Sequence, residues 1–385
     1  MSEATAPRKQ LPSGATGTGS VWSNLSGLVG TRRLKTDYGA ELGLFKTWSS
    51  RVGVVVAFVL VLFLPQIFGP FPMNVTTIIF LTLPGAIALN LLQGVAGQVS
   101  AGNAAFLGIG AIVTCFLVYK FPGISFLVVL PLAGLVAGTV GAFVALPALR
   151  VRGLYLLIST LALHFIIVYL ILVYQIKTVG EAGWTIPSPV IPGVMTIEKP
   201  INWYYFLGFF ALLSMMVMAN IMRTRVGRAW IAVRDGDIAA EIVGVNVMRA
   251  KIDAFVISSF IIGVQGALFA YYTVVVQNTL FTFDLAILYI SIVIIGGMGS
   301  TFGTVLGTIL VIGFPYFLQV VAAQLPPDSY VAHLLVLHIF DIQNIGYGLM
   351  IMGFLLFAPY GLVQLWRRIV SVFTLWPFSK ERSAR

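Results

Sequence analysis

Charge is the scarcest commodity in this chain. Only 9% of its 385 residues are Asp, Glu, Lys or Arg, where soluble domains carry about 25%. That scarcity excludes an ordinary soluble globule. There is a single cysteine, Cys115, which excludes an intrachain disulfide and a cysteine-rich metal site. No G-x-x-x-x-G-K-[ST] loop occurs, so the chain by itself is not expected to hydrolyse ATP. H-E-x-x-H, G-x-S-x-G and Cys/His metal spacings are also missing, and neither an enzyme nor a cofactor is expected. The first 20 residues have no apolar stretch, so no cleavable signal peptide is expected. Alternating apolar and polar segments of the kind that build a membrane β-barrel are absent as well.

What fills the chain is hydrophobic runs. Residues are 59% hydrophobic and mean hydropathy is +0.98. Apolar stretches near 20 residues match the thickness of a bilayer and recur at about 52–69, 74–93, 104–119, 126–149, 153–176, 203–222, 252–276, 285–299, 301–324 and 342–359. The pattern predicts an all-α polytopic membrane protein with about ten transmembrane helices. The eighth run is short and reads as a broken or tilted helix. Residues 1–50 form a polar tail low in hydrophobicity, expected to be largely disordered. Residues 51–366 form the transmembrane domain and 367–385 a second tail.

The net charge of +10 flanks these runs, which points to membrane surfaces and not to nucleic acid. With both termini inside, only Lys120, Lys177 and Lys199 fall outside, leaving 20 of the 23 basic residues inside. The reverse orientation has no such support, so an N-in/C-in topology is predicted. The loop 177–202, with Pro187, Pro189, Pro192 and Pro200, then becomes an external cap.

Span interiors hold almost no ionisable groups. Asp253, Asp284 and Asp341 are placed at span ends. A carrier driven by an ion gradient usually needs an intramembrane carboxylate, so this reading is weakened, although backbone carbonyls can hold sodium. The exception is His164, near the middle of the fifth run. It is expected to be neutral and to face the bundle, either as a structural hydrogen-bonding group or as part of a substrate path. Two Gly-rich stretches also interrupt the pattern, Gln93–Asn103 and Gly296–Ser300. Irregular backbone at membrane depth must be buried in protein or line a water-filled cavity. Gln98, Ser100 and Asn103 thus either line a path or belong to a close-packed helix junction. For Gly296–Ser300 packing is the favoured reading.

One island breaks the apolar monotony. Arg223–Lys251 holds 6 of the 23 basic and 3 of the 13 acidic residues. Asp235-Gly236-Asp237 is a turn signal. Asp237 is a natural N-cap for a helix from Ile238, and Gly244 suits the C′ position, where a left-handed conformation closes a helix. Fewer than two turns do not hold by themselves, so packing against something else is implied. Ala239 and Ala240 offer a low-relief face for close approach. An amphipathic element lying on lipid headgroups is the alternative.

The Ala-Ala-x-x-x-Gly pattern at Ala239, Ala240 and Gly244 is similar to the cytoplasmic signature of ABC importer permeases, with Ile238 where that signature has Glu. The string R-D-G-D-I-A-A-E-I-V-G-V-N-V-M-R-A-K resembles, more narrowly, the LivM-type permeases of branched-chain amino acid uptake systems. So do A-L-N-L-L-Q-G-V-A-G-Q-V-S-A-G-N-A-A-F-L-G-I-G-A (88–111), L-R-V-R-G-L-Y-L-L-I-S-T-L-A (149–162), G-E-A-G-W-T-I-P (180–187) and I-I-G-G-M-G-S-T-F-G-T-V-L-G (294–307), in order over roughly 74–365. The resemblance implies a permease subunit of an ATP-driven importer in a bacterial inner membrane. It implies a second, LivH-like permease, two ATP-binding ABC subunits and a soluble periplasmic substrate-binding protein as partners, with lipid around them. It assigns ATPase coupling to Arg234, Asp237, Ala239, Ala240, Glu241 and Gly244 in the loop 223–251. Substrate-path candidates are His164, Gln98, Ser100, Asn103, Tyr155 and Trp184. After Thr160-Leu161-Ala162 the family usually carries a Phe-Gly-Glu-like run, whereas this chain has Leu163, His164 and Phe165. With that acid missing, an ammonium group has no evident partner. Branched-chain amino acids are the family default, and urea, short amides and small organic or aromatic acids are served by relatives. A stand-alone secondary carrier or facilitative channel is the alternative function.

Overall fold

The computed structural model describes residues 69–148, 153–191, 195–197, 199–324, 337–358 and 360–366, with Pro65 and Arg368. Among these, nine helices are long and apolar enough to cross a membrane. They match nine of the ten expected spans, and the first expected span, 52–69, lies outside the described residues apart from Pro65 and Gly69, as do the tails apart from Arg368. The chain is an all-α polytopic membrane protein.

The helices are α1 (Pro70–Asn90), α2 (Asn103–Lys120), α3 (Phe126–Ala148), α4 (Leu154–Thr178), α5 (Pro200–Ile221), the short α6 (Arg225–Asp235) and α7 (Asp237–Ile242), then α8 (Val247–Thr273), α9 (Phe283–Gly296), α10 (Thr301–Gln324) and α11 (Ile339–Phe357). Pro70 and Pro200 occupy first turns, where a missing N–H costs nothing. Successive long helices run back and forth between two ends, one of which carries α6 and α7 and is called the basic end below. At the opposite end, two tiny antiparallel sheets pair Trp184 with Val276 and Val190 with Thr196.

The centre is α8, packed against α2, α3 and α1, with α1 in turn against α5 and α10. Without water in a bilayer, close backbone approach replaces the hydrophobic effect as the source of helix association. Gly263 of α8 shows how close: a Cβ there would meet Ala137 of α3 and lie 2.9 Å from the Ala133 carbonyl. Several polar groups in this core find partners within the protein, as a bilayer demands, although Ser259 Oγ and Gln265 Oε1 are buried without one. Ser258 Oγ donates to Ala88 O at 2.8 Å, and Gln265 Nε2 donates to Leu81 O at 2.9 Å and to the Tyr289 hydroxyl. Thr77, Thr82, Thr114 and Thr308 donate to carbonyls one turn back in their own helices.

The eighth run is short for a visible reason. α9 has 14 residues and is preceded by the strand Val275–Val276 and a single 3-10 turn at Asn278–Leu280. The Asn278 N–H donates to Gln175 Oε1 of α4 at 2.8 Å. The chain therefore enters from the far end as irregular backbone tied to protein before it becomes a helix.

Candidate functional site

The basic end is organised around α6 and α7. The Thr224 hydroxyl accepts from the Gly227 N–H and starts α6. Trp230 anchors it: the indole is fully buried and its Nε1 donates to Ala250 O at 2.9 Å. α7 differs from expectation at its start. It begins at Asp237, its N-cap is Gly236, and no side chain caps it. The Asp237 carboxylate instead accepts from Lys251 Nζ of α8 at 2.8 Å, with the side chains only 14% and 8% exposed. With Gly236 in the N-cap position, Asp237 is the first helical residue, and its carboxylate pairs with the opposite charge on Lys251.

The other end of α7 closes as expected. Gly244 has φ +90°. The Gly244 N–H donates to Glu241 O at 2.9 Å and the Val245 N–H to Ala240 O at 2.9 Å, the paired 5→2 and 6→1 bonds of a Schellman motif.

The low-relief face is not the one expected. Ala240 is buried against its own chain at 3% exposure, whereas Ile238, Ile242 and Val243 stand 70%, 80% and 83% exposed. Ala239 and Glu241 are exposed. Ala240 is small because α7 lies tight on the fold beneath it, and the outward surface is an aliphatic knob with Glu241 beside it.

Arg234 ties this element to the two Gly-rich breaks. Its Nη1 donates to Gly94 O at 2.5 Å. A Cβ on Gly97 would lie 2.9 Å from Arg234 Cγ, and one on Gly299 would lie 3.3 Å from Arg234 Nη1. Gly94 belongs to a π-helical turn, Leu91–Val95, that ends α1; such turns frequently mark functional positions. Asn90 stitches the breaks together. Its Nδ2 donates to Ser300 O at 3.0 Å and to Thr304 Oγ1 at 2.6 Å, and its Oδ1 accepts from the Gly299 N–H at 2.7 Å. Gly296–Ser300 is thus a packing junction, and sequence distance hid that it joins Gln93–Asn103. Between these parts lies a cleft of about 180 Å³ lined by Gly97, Gln98, Leu156, Arg234, Asp237 and Lys251 among others.

The path candidates fall in different places. Gln98 faces the cleft. Ser100 is buried; its Oγ accepts from the Gly102 N–H at 3.2 Å and its carbonyl accepts from Gln93 Nε2 at 2.7 Å. Asn103 is buried with neither amide atom hydrogen-bonded. The Ala101 N–H donates to Thr160 Oγ1 at 3.0 Å, which puts this segment one turn from His164. His164 is 1% exposed, its Nδ1 has no partner, and its ring lies 5.4 Å from that of Phe165 and 6.4 Å from that of Phe283. Trp184 stands apart: it is buried and stacks on Tyr174 at 5.6 Å, well along α4 from His164, as part of the strand-paired cap. Tyr155 is 74% exposed on the outer face of α4, and the structure brings it to neither His164 nor Trp184.

Asp284, expected at a span end, lies in the first turn of α9 and is exposed. Its neighbour Phe283 packs against Phe165 and His164, in the middle of α4. Among the described residues no cluster of His, Cys, Asp and Glu could hold a metal ion.

Residues 71–358 match the family model described as branched-chain amino acid transport system, permease component. The high-affinity branched-chain amino acid transport system permease protein LivM of Escherichia coli K12 is 31% identical over 289 residues, covering 69% of this chain and 68% of that one. The protein of the same name from Salmonella typhimurium LT2 is 33% identical over 259 residues, covering 61% and 60%. A probable branched-chain amino acid transport permease protein LivM from Methanocaldococcus jannaschii is 27% identical over 181 residues, covering 46% and 52%. No solved structure matches the chain.

Proposed function

The chain belongs to the permease family of branched-chain amino acid transport systems, and from that premise we propose that it is one of two permeases of an ATP-driven importer for branched-chain amino acids. The basic end faces the cytoplasm of a bacterial cell, with both termini inside, and the membrane is the inner one. A related permease completes the pathway, a periplasmic binding protein delivers the solute, and two ATP-binding subunits drive the cycle. Arg234, Asp237, Ala239, Ala240, Glu241 and Gly244 form the coupling element.

The observation that carries this proposal is the aliphatic knob of Ile238, Ile242 and Val243. It projects from a helix of six residues that is fixed by the Lys251–Asp237 ion pair and a Schellman cap. Isolated helices this short do not persist, and a rigid apolar projection has the form of an anchor that fills a pocket on a partner. ATP binding shifts populations between outward- and inward-open states only as far as its differential affinity for them allows. A firmly held contact is how that difference reaches the spans.

Co-purification of the ATP-binding subunits with the tagged permease tests the proposal. Burying an Ile side chain contributes about 1.5–3 kcal/mol, so Ile242→Asp should weaken the association by roughly tenfold or more. Because Ile242 is 80% exposed, the permease's own membrane level should not change. Full retention of the ATP-binding subunits by Ile242→Asp, or wild-type uptake without any ATP-binding subunit, would overturn the reading; the second result would favour a facilitative channel or secondary carrier.

A further inference from the structure

The depth of Asp284 follows from two independent measures. α9 has 14 residues, about 21 Å at ~1.5 Å per residue. Its Gly296 end is held at the basic end, where the turn that follows meets Asn90 and Arg234. A bilayer's hydrocarbon is about 30 Å thick, so the Phe283 end of α9 stops inside it. The second measure is lateral. The Phe283 ring is 6.1 Å from that of Phe165 and 6.4 Å from that of His164, and both residues sit near the middle of the 25-residue α4. Asp284, the next residue, is therefore an exposed carboxylate well inside the membrane.

It has no hydrogen bond or ion pair among the described residues. Lipid cannot cover such a group without a heavy penalty, and intramembrane acids face a water-filled cavity or a polar partner. The irregular backbone just before it, Val274–Thr282, obeys the same restriction. Beside the preceding residue, Phe283, lies His164, buried with Nδ1 unpartnered, a polar atom that the fold leaves unused.

We propose that Asp284 is a solute-binding residue of the transport path and that it accepts the ammonium group of the transported molecule. The assignment rests on the importer reading and deepens it. It supplies the intramembrane acid that the sequence pattern lacks after Ala162, from a different helix. The solute class that fits is small, with an ammonium group and an apolar remainder that passes Phe165 and Phe283, both of which are exposed on this face.

The experiment uses the complete importer in proteoliposomes. Asp284→Asn should lower [14C]leucine uptake at least tenfold while co-purifying with the second permease as the wild type does, and Asp284→Glu should retain at least threefold more uptake than Asp284→Asn. In a Cys115→Ala background, Asp284→Cys in the assembled complex should react with a membrane-impermeant trimethylammonium methanethiosulfonate. Failure to react means the position faces lipid or a sealed contact, and overturns the assignment. So does wild-type uptake by Asp284→Asn. Loss of the second permease from Asp284→Asn preparations assigns the carboxylate to a subunit ion pair and also overturns it. ATP-independent uptake by the wild type would fail the importer reading alone, since the labelling and the Asn/Glu comparison decide Asp284 whatever energy drives transport.

Discussion

Arg234→Ala is the perturbation that separates docking from transmission. Arg234 does not belong to the aliphatic knob; it points the other way, into the junction of the two Gly-rich breaks, where its Nη1 donates to Gly94 O at 2.5 Å. Hydrogen bonds to charged groups contribute about 1.5–3 kcal/mol. The Arg234 side chain is 47% exposed and its contact to Asp235, at 3.9 Å, is a surface pair worth little. Water in the cleft also takes over part of the carbonyl's bonding in the variant. A net of about 1–2 kcal/mol is therefore expected, a factor of roughly 5–30 in an equilibrium. The α6–α7 element would then move without carrying the end of α1 in that proportion of cycles. In proteoliposomes, ATP hydrolysed per leucine imported should rise several-fold, while co-purification of the ATP-binding subunits stays normal. Arg234→Lys keeps the charge and one donor but not the planar fork, and should fall between the two. An unchanged ATP-to-leucine ratio in Arg234→Ala refutes the reasoning, because the bond would then hold the fold together without carrying motion.

Gly244→Val places a β-branched residue at φ +90°, a conformation that costs an L-residue on the order of 1–3 kcal/mol; coupled ATP hydrolysis should drop while membrane levels stay near normal. Gly263→Leu forces a side chain onto Ala137 and the Ala133 carbonyl, and overpacking of about 1–3 kcal/mol should lower the thermal midpoint of the detergent-purified protein, where Gly313→Leu, with nothing within 4 Å of its added Cβ, should not. In a Cys115→Ala background, a cysteine at Ser188 should react with an impermeant maleimide from outside intact cells and one at Asp235 should not; the opposite pattern would invert the proposed orientation.

Parts of the candidate site were legible because they are local. Gly244 was readable as a helix stop since a left-handed residue after a short run is a property of a few neighbouring positions. The first turn of α7 was misread for the complementary reason. Asp237 beside a helix start is a cap by local rules, but Lys251, 14 positions away, takes the carboxylate. Ala240 was read as a contact surface from its small size, and small size in fact marks where α7 is pressed onto its own chain. Trp184 and His164 were both named as path candidates by chemistry alone, and the strand pairing with Val276 places Trp184 in the cap, away from the middle of α4.

The sequence by itself determined the solvent of this protein and the number and bounds of the spans that can be seen. Both depend on the free energy of placing each stretch in hydrocarbon, a sum over neighbouring residues that needs no partner. Only the tertiary structure decided which irregular segments meet and how deep each residue lies. Asn90 and Gly299 touch across 209 positions, and no local preference encodes that distance. Asp284 was read at a span end and lies in the first turn of α9, but hydropathy alone could not register that this turn packs beside the middle of α4. Depth is a property of how helices of unequal length pack side by side, and it is this packing that sets Phe283 against Phe165 and His164 in the middle of α4.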